Sequence, residues 1–185
     1  MSKASTRRAV VGWELAGVAF IVALGSALHF AFAWTGYWQP VALVAAVNES
    51  IWEHLKLAFW PGLLWAAIER PNLDLKPSEF WAAKGIALLV PPAAIIAIFT
   101  TYTRILGENI LFLDIATFVV AVVLGQIVSI WLLNFGSSSL TFRRLGHLLI
   151  GLQLVAYSTL TFFPPRLDLF MDTRNGTYGI PARLE

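Results

Sequence analysis

Residues 48 to 61 read Asn-Glu-Ser-Ile-Trp-Glu-His-Leu-Lys-Leu-Ala-Phe-Trp-Pro and open a long apolar stretch. Within them Glu49, Glu53, His54 and Lys56 are ionisable groups at the start of a predicted membrane-spanning helix. At about 100° per residue, these groups share one arc that covers a little under half of the helix. Ionisable groups at membrane depth indicate a functional site. The arc must therefore face protein or water, and the opposite apolar arc can face lipid.

Composition places the whole chain in the membrane class. Of its 185 residues, 58% are hydrophobic and only 13% are charged, with a mean hydropathy of +0.71. The apolar residues come in blocks of about 20, the length that crosses a bilayer. We therefore predict an all-α integral membrane protein with five transmembrane helices and a single domain over residues 1–185. The predicted spans are roughly 11–35, 50–69, 79–102, 109–133 and 145–163, followed by a tail at 164–185.

The absence of cysteine excludes disulfides and thiolate ligands, so any metal site must use histidines and carboxylates. Lys and Arg are concentrated at the amino end and in the loops 70–78 and 134–146. The positive-inside rule then predicts a cytoplasmic N-terminus and an extracytoplasmic C-terminus. We expect a multi-pass protein of a bacterial or archaeal inner membrane, with the lipid bilayer as its partner and no nucleic-acid binding. The oligomeric state stays open, and the polar arc lies towards the outer face.

Other segments carry local predictions. The segment 36–48 is too short to span, so it is expected to lie in the interface or to dip part-way into the membrane. Pro61 and Pro91-Pro92 predict kinks in the second and third spans, because proline removes an intrahelical hydrogen bond. Lys84 is expected to snorkel to the cytoplasmic surface. The tail, with turn signals such as Asn175-Gly176, is expected to fold back over the outer opening.

A purely structural interpretation explains part of the arc. Ser50 and Glu53 have the spacing of a capping box, in which the two residues satisfy free amides at a helix start. Asn48 is also a favourable N-cap residue, and Glu49 suits the positive end of the helix dipole. Neither argument accounts for His54 or Lys56.

Depth in the membrane brings further groups into consideration. On the predicted topology His29, Glu53, His54 and Asp114 all lie in the outer third of their spans. Imidazole and carboxylate groups are ordinary ligands of zinc and other divalent metals. His29 and His54 are therefore candidate metal ligands, although a lone packing histidine is an equal alternative for His29.

The motifs also carry a resemblance. The run Val47-Asn48-Glu49-Ser50-Ile51-Trp52-Glu53-His54-Leu55-Lys56, with the closing Phe163-Pro164-Pro165 and Asp172, resembles the signature of an uncharacterised family of small bacterial multi-pass membrane proteins. That resemblance implies no activity. Asn48-Glu49 and Trp52-x-His54 are also similar to a segment of the progestin and adipoQ receptor group of membrane hydrolases, which implies a zinc-ligand role for His54. The chain lacks that group's seven spans and its late His-x-x-x-His pair.

Three classes of function remain open. A metal-assisted membrane hydrolase or transferase, acting on a lipid-like or small substrate, would use His29 and His54 as ligands and Glu53, Asp114 or Glu49 as catalytic acids or bases. A small transporter or ion pathway would use the same carboxylates as a relay, with Asn48, Ser50 and Lys56 lining the path. An accessory or scaffold subunit would use the polar arc only to close the bundle. The first class is slightly favoured, because a histidine, two carboxylates and a nearby acid of the tail are expected where a lipid headgroup or a periplasmic solute could reach them.

Overall fold

The computed structural model describes residues 3–181, and these form an α-helical bundle. Residues 182–185, which end the predicted tail, and the first two residues lie outside the described part. Six α-helices run in chain order: α1 Lys3–Trp34, α2 Ile51–Glu69, α3 Pro77–Ala87, α4 Val90–Leu106, α5 Leu111–Phe135 and α6 Leu140–Thr159. Within the described residues no β-strand forms, apart from an isolated bridge between Met171 and Tyr178.

The third predicted span is broken into two helices at its prolines. α3 ends at Ala87, and α4 begins at Val90 with Pro91 and Pro92 in its first turn. Proline is tolerated there because the first amides of a helix have no intrahelical partner. Pro61 has a different outcome, since it lies inside α2, which continues as one helix from Ile51 to Glu69.

Three helical stretches are long and apolar enough to cross a membrane: Ser5–Trp34, Pro77–Leu106 and Leu111–Phe135. They correspond to the first, third and fourth predicted spans. Helices also form at the second and fifth, as α2 and α6, but they are not among these three. The helical, membrane-like character is thus confirmed, while five crossings and their orientation stay predictions.

The bundle core lies where α1 and α2 pack together and α5 packs against α1, α3 and α4. α3 and α6 approach each other most closely, at Gly85 and Gly146. A Cβ added to Gly146 would lie 2.2 Å from the carbonyl oxygen of Ala82, and one added to Gly85 would lie 2.0 Å from the carbonyl oxygen of Gly146. The two backbones therefore touch, which only glycine permits at these positions.

The segments outside the long helices cover one end of the bundle. After α1, the short 3₁₀ helix Gln39–Leu43 buries Ala42, and Ala45 and Val47 follow it into a small apolar cluster with Phe32. The segment 36–48 is thus packed inside the protein at this end. The tail returns to the same end, as predicted, where Asn48 Nδ2 donates to the carbonyl of Gly179 at 2.9 Å.

We predict that Gly146→Ala separates α6 from α3 and lowers the free energy of unfolding by about 1–3 kcal/mol, because the added methyl overlaps the Ala82 carbonyl. Gly151→Ala on the same helix is the matched control, since a Cβ there meets nothing within 4 Å. Thermal unfolding in detergent measures both. Equal midpoints for the two variants would contradict the close backbone contact.

Candidate metal centre

Two histidines and one carboxylate meet where α1 and α2 pack at the covered end of the bundle. The Nε2 atoms of His29 and His54 are 3.2 Å apart. Glu49 Oε2 lies 3.5 Å from His54 Nε2 and 3.8 Å from His29 Nε2. Three potential ligand atoms from α1, α2 and the preceding loop therefore converge on one point.

Glu49 reaches this point because it lies outside α2. Ser50 is the N-cap, with extended φ and ψ of −76° and 152°, and the helix begins only at Ile51. The sequence arc, which treats residue 49 as helical, is therefore wrong for Glu49. The extended backbone brings its carboxylate beside His54, whereas Glu53 and Lys56 turn into the protein interior.

The ring of His54 is held in one orientation and one tautomer. Its Nδ1 lies 2.8 Å from the carbonyl oxygen of Ser50. A carbonyl only accepts hydrogen bonds, so Nδ1 carries the proton and Nε2 presents a lone pair towards His29 and Glu49. Such a bond to the second ring nitrogen is the usual support of a metal-ligating histidine. In His29, Nδ1 is buried and has no hydrogen-bond partner among the described residues.

The carboxyl of Glu49 is kept ionised. The hydrogen bond with the His29 imidazole holds the pKa of Glu49 below the ordinary value of a glutamate. Partial burial raises this pKa, and the positive charge of Arg174 lowers it. Arg174 Nη2 lies 3.2 Å from Glu49 Oε1. An ionised carboxylate is the form of this side chain that binds a divalent cation.

A cavity of about 370 Å³ opens beside these groups. His29, Asn48 and Glu49 line it on one side, and Asp172 and Arg174 line it on the other. Asp172 and Arg174 belong to the tail, which also includes the 3₁₀ helix Asp168–Phe170. The cavity is also lined by apolar and aromatic side chains, among them Phe30, Phe32, Ala33 and Tyr37.

The tail is fixed by its own turn. The backbone amide of Asp172 donates to the Thr177 carbonyl at 2.8 Å, and Gly176, with a φ of +71°, closes the turn. Asp172 Oδ1 accepts from the amide of Arg174 at 2.8 Å. This turn therefore places one carboxylate and one guanidinium at the cavity.

A second polar group lies deeper, and it contains Glu53 and Lys56. Lys56 Nζ is fully buried and lies 2.7 Å from Glu53 Oε2, while it donates to Ala42 O and Thr161 Oγ1, both at 2.8 Å. Thr161 Oγ1 in turn donates to Glu53 Oε1 at 2.9 Å, and the amide of Val47 donates to Oε2 at 3.1 Å. Both oxygens of Glu53 therefore already have charge-assisted hydrogen-bond partners inside the protein.

The remaining residues of the predicted site have structural contacts. The capping box forms only in part: Ser50 Oγ accepts from the Glu53 amide at 3.3 Å, but the Ser50 amide donates to Asn48 Oδ1 and not to Glu53. Asn48 lines the cavity and also holds the tail. Asp114 lies in the first turn of α5, where it accepts hydrogen bonds from Tyr102 and Asn109. The structure therefore does not bring Asp114 into the metal-ligand group.

Sequence reasoning missed two features. It counted Asp172 only as an acid of the tail near the site, and it gave no role to Arg174. It also placed Lys84 at the cytoplasmic surface, and this is wrong: Lys84 is 3% exposed and contacts Glu14 and Glu69 at the opposite end of α1 and α2. Both acids are visible in the sequence, but their pairing with Lys84 depends on which helices are neighbours.

The fold and this polar end define an all-helical protein of membrane type with a His-His-Glu group beside a cavity. A family model for a family of unknown function, DUF6512, matches residues 1–180, so the chain belongs to that family. The predicted membership of an uncharacterised family is thereby confirmed. No curated protein and no solved structure gives a significant match.

We predict that Lys56→Met lowers the free energy of unfolding by about 3–5 kcal/mol, because it leaves the buried Glu53 carboxylate without its counter-charge. Lys76→Met is the control, since Lys76 contacts Glu79 at 3.4 Å with its side chain 77% exposed. Thermal unfolding in detergent compares the two variants. A Lys56→Met protein that melts with the wild type would show that the ion pair is not needed to hold this end together.

Proposed function

We propose that the chain is a membrane-embedded, metal-dependent hydrolase or transferase whose metal centre is His29, Glu49 and His54. The observation that carries the proposal is the convergence of three ligand atoms at separations of 3.2 to 3.8 Å. Ligands about 2.0–2.1 Å from a tetrahedral zinc ion are about 3.3 Å apart. A small contraction of the group therefore meets the requirement of zinc.

The number and kind of ligands support a catalytic ion in preference to a structural one. Catalytic zinc sites have three protein ligands, two histidines and a glutamate in one common type, and they leave a position for water or substrate. The cavity is lined by two of the three ligand residues, His29 and Glu49. A bound zinc ion supplies Lewis acidity, which activates water and polarises a carbonyl or phosphoryl oxygen.

The roles of the acidic residues follow from their contacts. Glu49 changes from candidate base to ligand, and Glu53 is occupied by Lys56, so neither is available for proton transfer. Asp172 faces the cavity, and one of its oxygens accepts from the Arg174 amide. We assign general acid and base chemistry to Asp172 and recognition of a negatively charged or carbonyl-bearing substrate to Arg174.

A lipid-like substrate suits the surroundings of the cavity. The polar groups of the cavity lie beside Phe30 and Tyr37, which are both 53% exposed. Trp34 and Trp38 are also exposed, at the same end of the bundle. Aromatic side chains of this kind collect at the headgroup level of a membrane. In this proposal the bundle crosses the cell membrane five times with its N-terminus in the cytoplasm, so the cavity opens at the outer headgroup layer.

The transporter alternative receives less support. It requires a polar path from the outer groups to Glu14, Glu69 and Lys84 at the other end of the bundle. Between them, α2 contributes the buried apolar side chains of Phe59 and Trp65 to the core. About 15 residues of helix, or roughly 22 Å, separate His54 from Glu69.

The first prediction concerns the metal itself. We expect detergent-purified wild-type protein to hold close to one zinc or other transition-metal ion per chain, and His29→Ala and His54→Ala to lose it. Elemental analysis, after removal of loosely bound ions, measures the content. Glu49→Gln is expected to retain metal more weakly, because a neutral amide is a poorer ligand than a carboxylate.

His147→Ala is the matched control for these variants. His147 is the remaining histidine of the chain, and its Nδ1 contacts the Arg143 carbonyl at 2.6 Å on α6, away from the cavity. This variant should keep its metal. Folding of each protein is checked by monodispersity and thermal unfolding, and a well-folded wild type that takes up no metal when supplied with zinc would refute the proposed centre.

The second prediction concerns turnover. We expect Asp172→Asn to keep its metal and to lose about 10²–10⁴-fold in hydrolysis of ester or phosphoester lipids, because general acid and base catalysis contributes a factor of this size. Rates are measured in vesicles or mixed micelles for metal-loaded protein. Asp168→Asn serves as a control from the same tail. Equal rates for the two variants would remove Asp172 from the chemistry without affecting the metal assignment.

A further inference from the structure

The opposite end of the bundle contains a second buried ionic cluster, formed by Glu14 of α1, Glu69 of α2 and Lys84 of α3. Lys84 Nζ lies 2.6 Å from Glu14 Oε1 and 2.5 Å from Glu69 Oε2. Both glutamates are 0% exposed and the lysine is 3% exposed. One ammonium group thus serves two carboxyl groups in a place that water does not reach.

The neighbouring groups do not balance this charge. From α5, Ser129 Oγ donates to Glu14 Oε1 at 2.5 Å, and Gln126 Nε2 donates to the backbone carbonyl of Glu14 at 3.1 Å. These groups are neutral. The guanidinium of Arg70, the residue after Glu69, donates to the carbonyls of Leu73 and Leu75.

One oxygen of each carboxyl group lacks a donor. Glu14 Oε2 and Glu69 Oε1 are buried and have no hydrogen-bond partner among the described residues. Glu14 Oε1 and Glu69 Oε2 are nevertheless neighbours, because both contact the same Lys84 Nζ. Two carboxylates in this position repel, whereas a carboxylic acid donates to a carboxylate through a single shared proton.

Charge balance leads to the same result. With both acids ionised, the cluster would carry one uncompensated negative charge in a buried site, which costs several kcal/mol. A buried group in that situation becomes neutral instead. One proton gives the cluster one carboxylate, one ammonium and one neutral acid, and it supplies a donor to an oxygen that otherwise has none.

We propose that Glu14, Glu69 and Lys84 form a proton-binding site that holds one proton between the two carboxyl groups at neutral pH. This site is independent of the proposed metal centre, because about 15 residues of helix separate Glu14 from His29 on α1 and Glu69 from His54 on α2, roughly 22 Å in each case. Its ligand is a proton, and a monovalent metal cation is the alternative that the test must distinguish.

Infrared spectroscopy of detergent-purified protein at neutral pH tests this directly, because a protonated carboxylic acid has a C=O stretching band that a carboxylate lacks. We expect that band in the wild type and its shift when glutamate is supplied labelled with ¹³C. Its absence from the unmutated protein would overturn the proposal without reference to any variant. The measurement is made in sodium buffer and again with choline replacing sodium.

Isosteric variants identify the residues that share the proton. Glu14→Gln and Glu69→Gln each leave one carboxylate for Lys84, so each should lose the acid band while its unfolding midpoint moves by less than about 3 °C. Glu79→Gln, a surface substitution, should keep the band. Retention of the band in both cluster variants would overturn the assignment. The proposal would also be overturned if the wild type lacked the acid band and its unfolding midpoint were raised by sodium but not by choline. That result would identify the ligand as a monovalent metal cation.

Discussion

The ammonium group of Lys56 is the constraint on which the candidate site depends. It is completely buried, so it must be matched by a counter-charge and by acceptors. Its partners come from the rest of that end of the chain: Glu53 from α2, the Ala42 carbonyl from the segment before α2, and Thr161 from the start of the tail. Satisfying one charge therefore ties three separate parts of the chain together.

The position of the His29, Glu49 and His54 group follows from this arrangement. Because Ala42 and Val47 are bonded to the Lys56 and Glu53 side chains, the loop that enters α2 has one path, and that path presents Glu49 beside His54. Thr161 fixes the origin of the tail, and Trp52 stacks on Phe170 with ring centroids 4.7 Å apart. The tail is thereby directed over the cavity with its acid and its guanidinium.

The two ends of the bundle use buried charge differently. Near the cavity, Glu53 and Lys56 form a matched pair in which both carboxylate oxygens have donors. At the other end, two acids share Lys84, and part of their hydrogen-bonding capacity is unsatisfied. A buried pair with equal and opposite charges holds segments of the chain together. A buried cluster with more carboxyl groups than ammonium groups has the excess negative charge that a cation-binding site needs, and the smallest such cation is a proton.

Hydropathy was sufficient to predict where helices form, because helix formation depends on local chain length and backbone chemistry. Pro91-Pro92 predicted a kink, and the structure has a break between α3 and α4 at that place. Depth along two consecutive helices also predicted that His29 and His54 would be neighbours. The contacts of the individual residues in the polar arc could not be predicted from the sequence. Whether Glu49 or Glu53 faces the histidines depends on where α2 begins. Lys84 contacts its two acids only because α3 packs against α1 and α2.

The sequence by itself determined an apolar helical chain with ionisable groups at both ends of its helices. Only the tertiary structure decided which of those groups meet, because a buried charge is assigned its partner by the helices and loops that surround it.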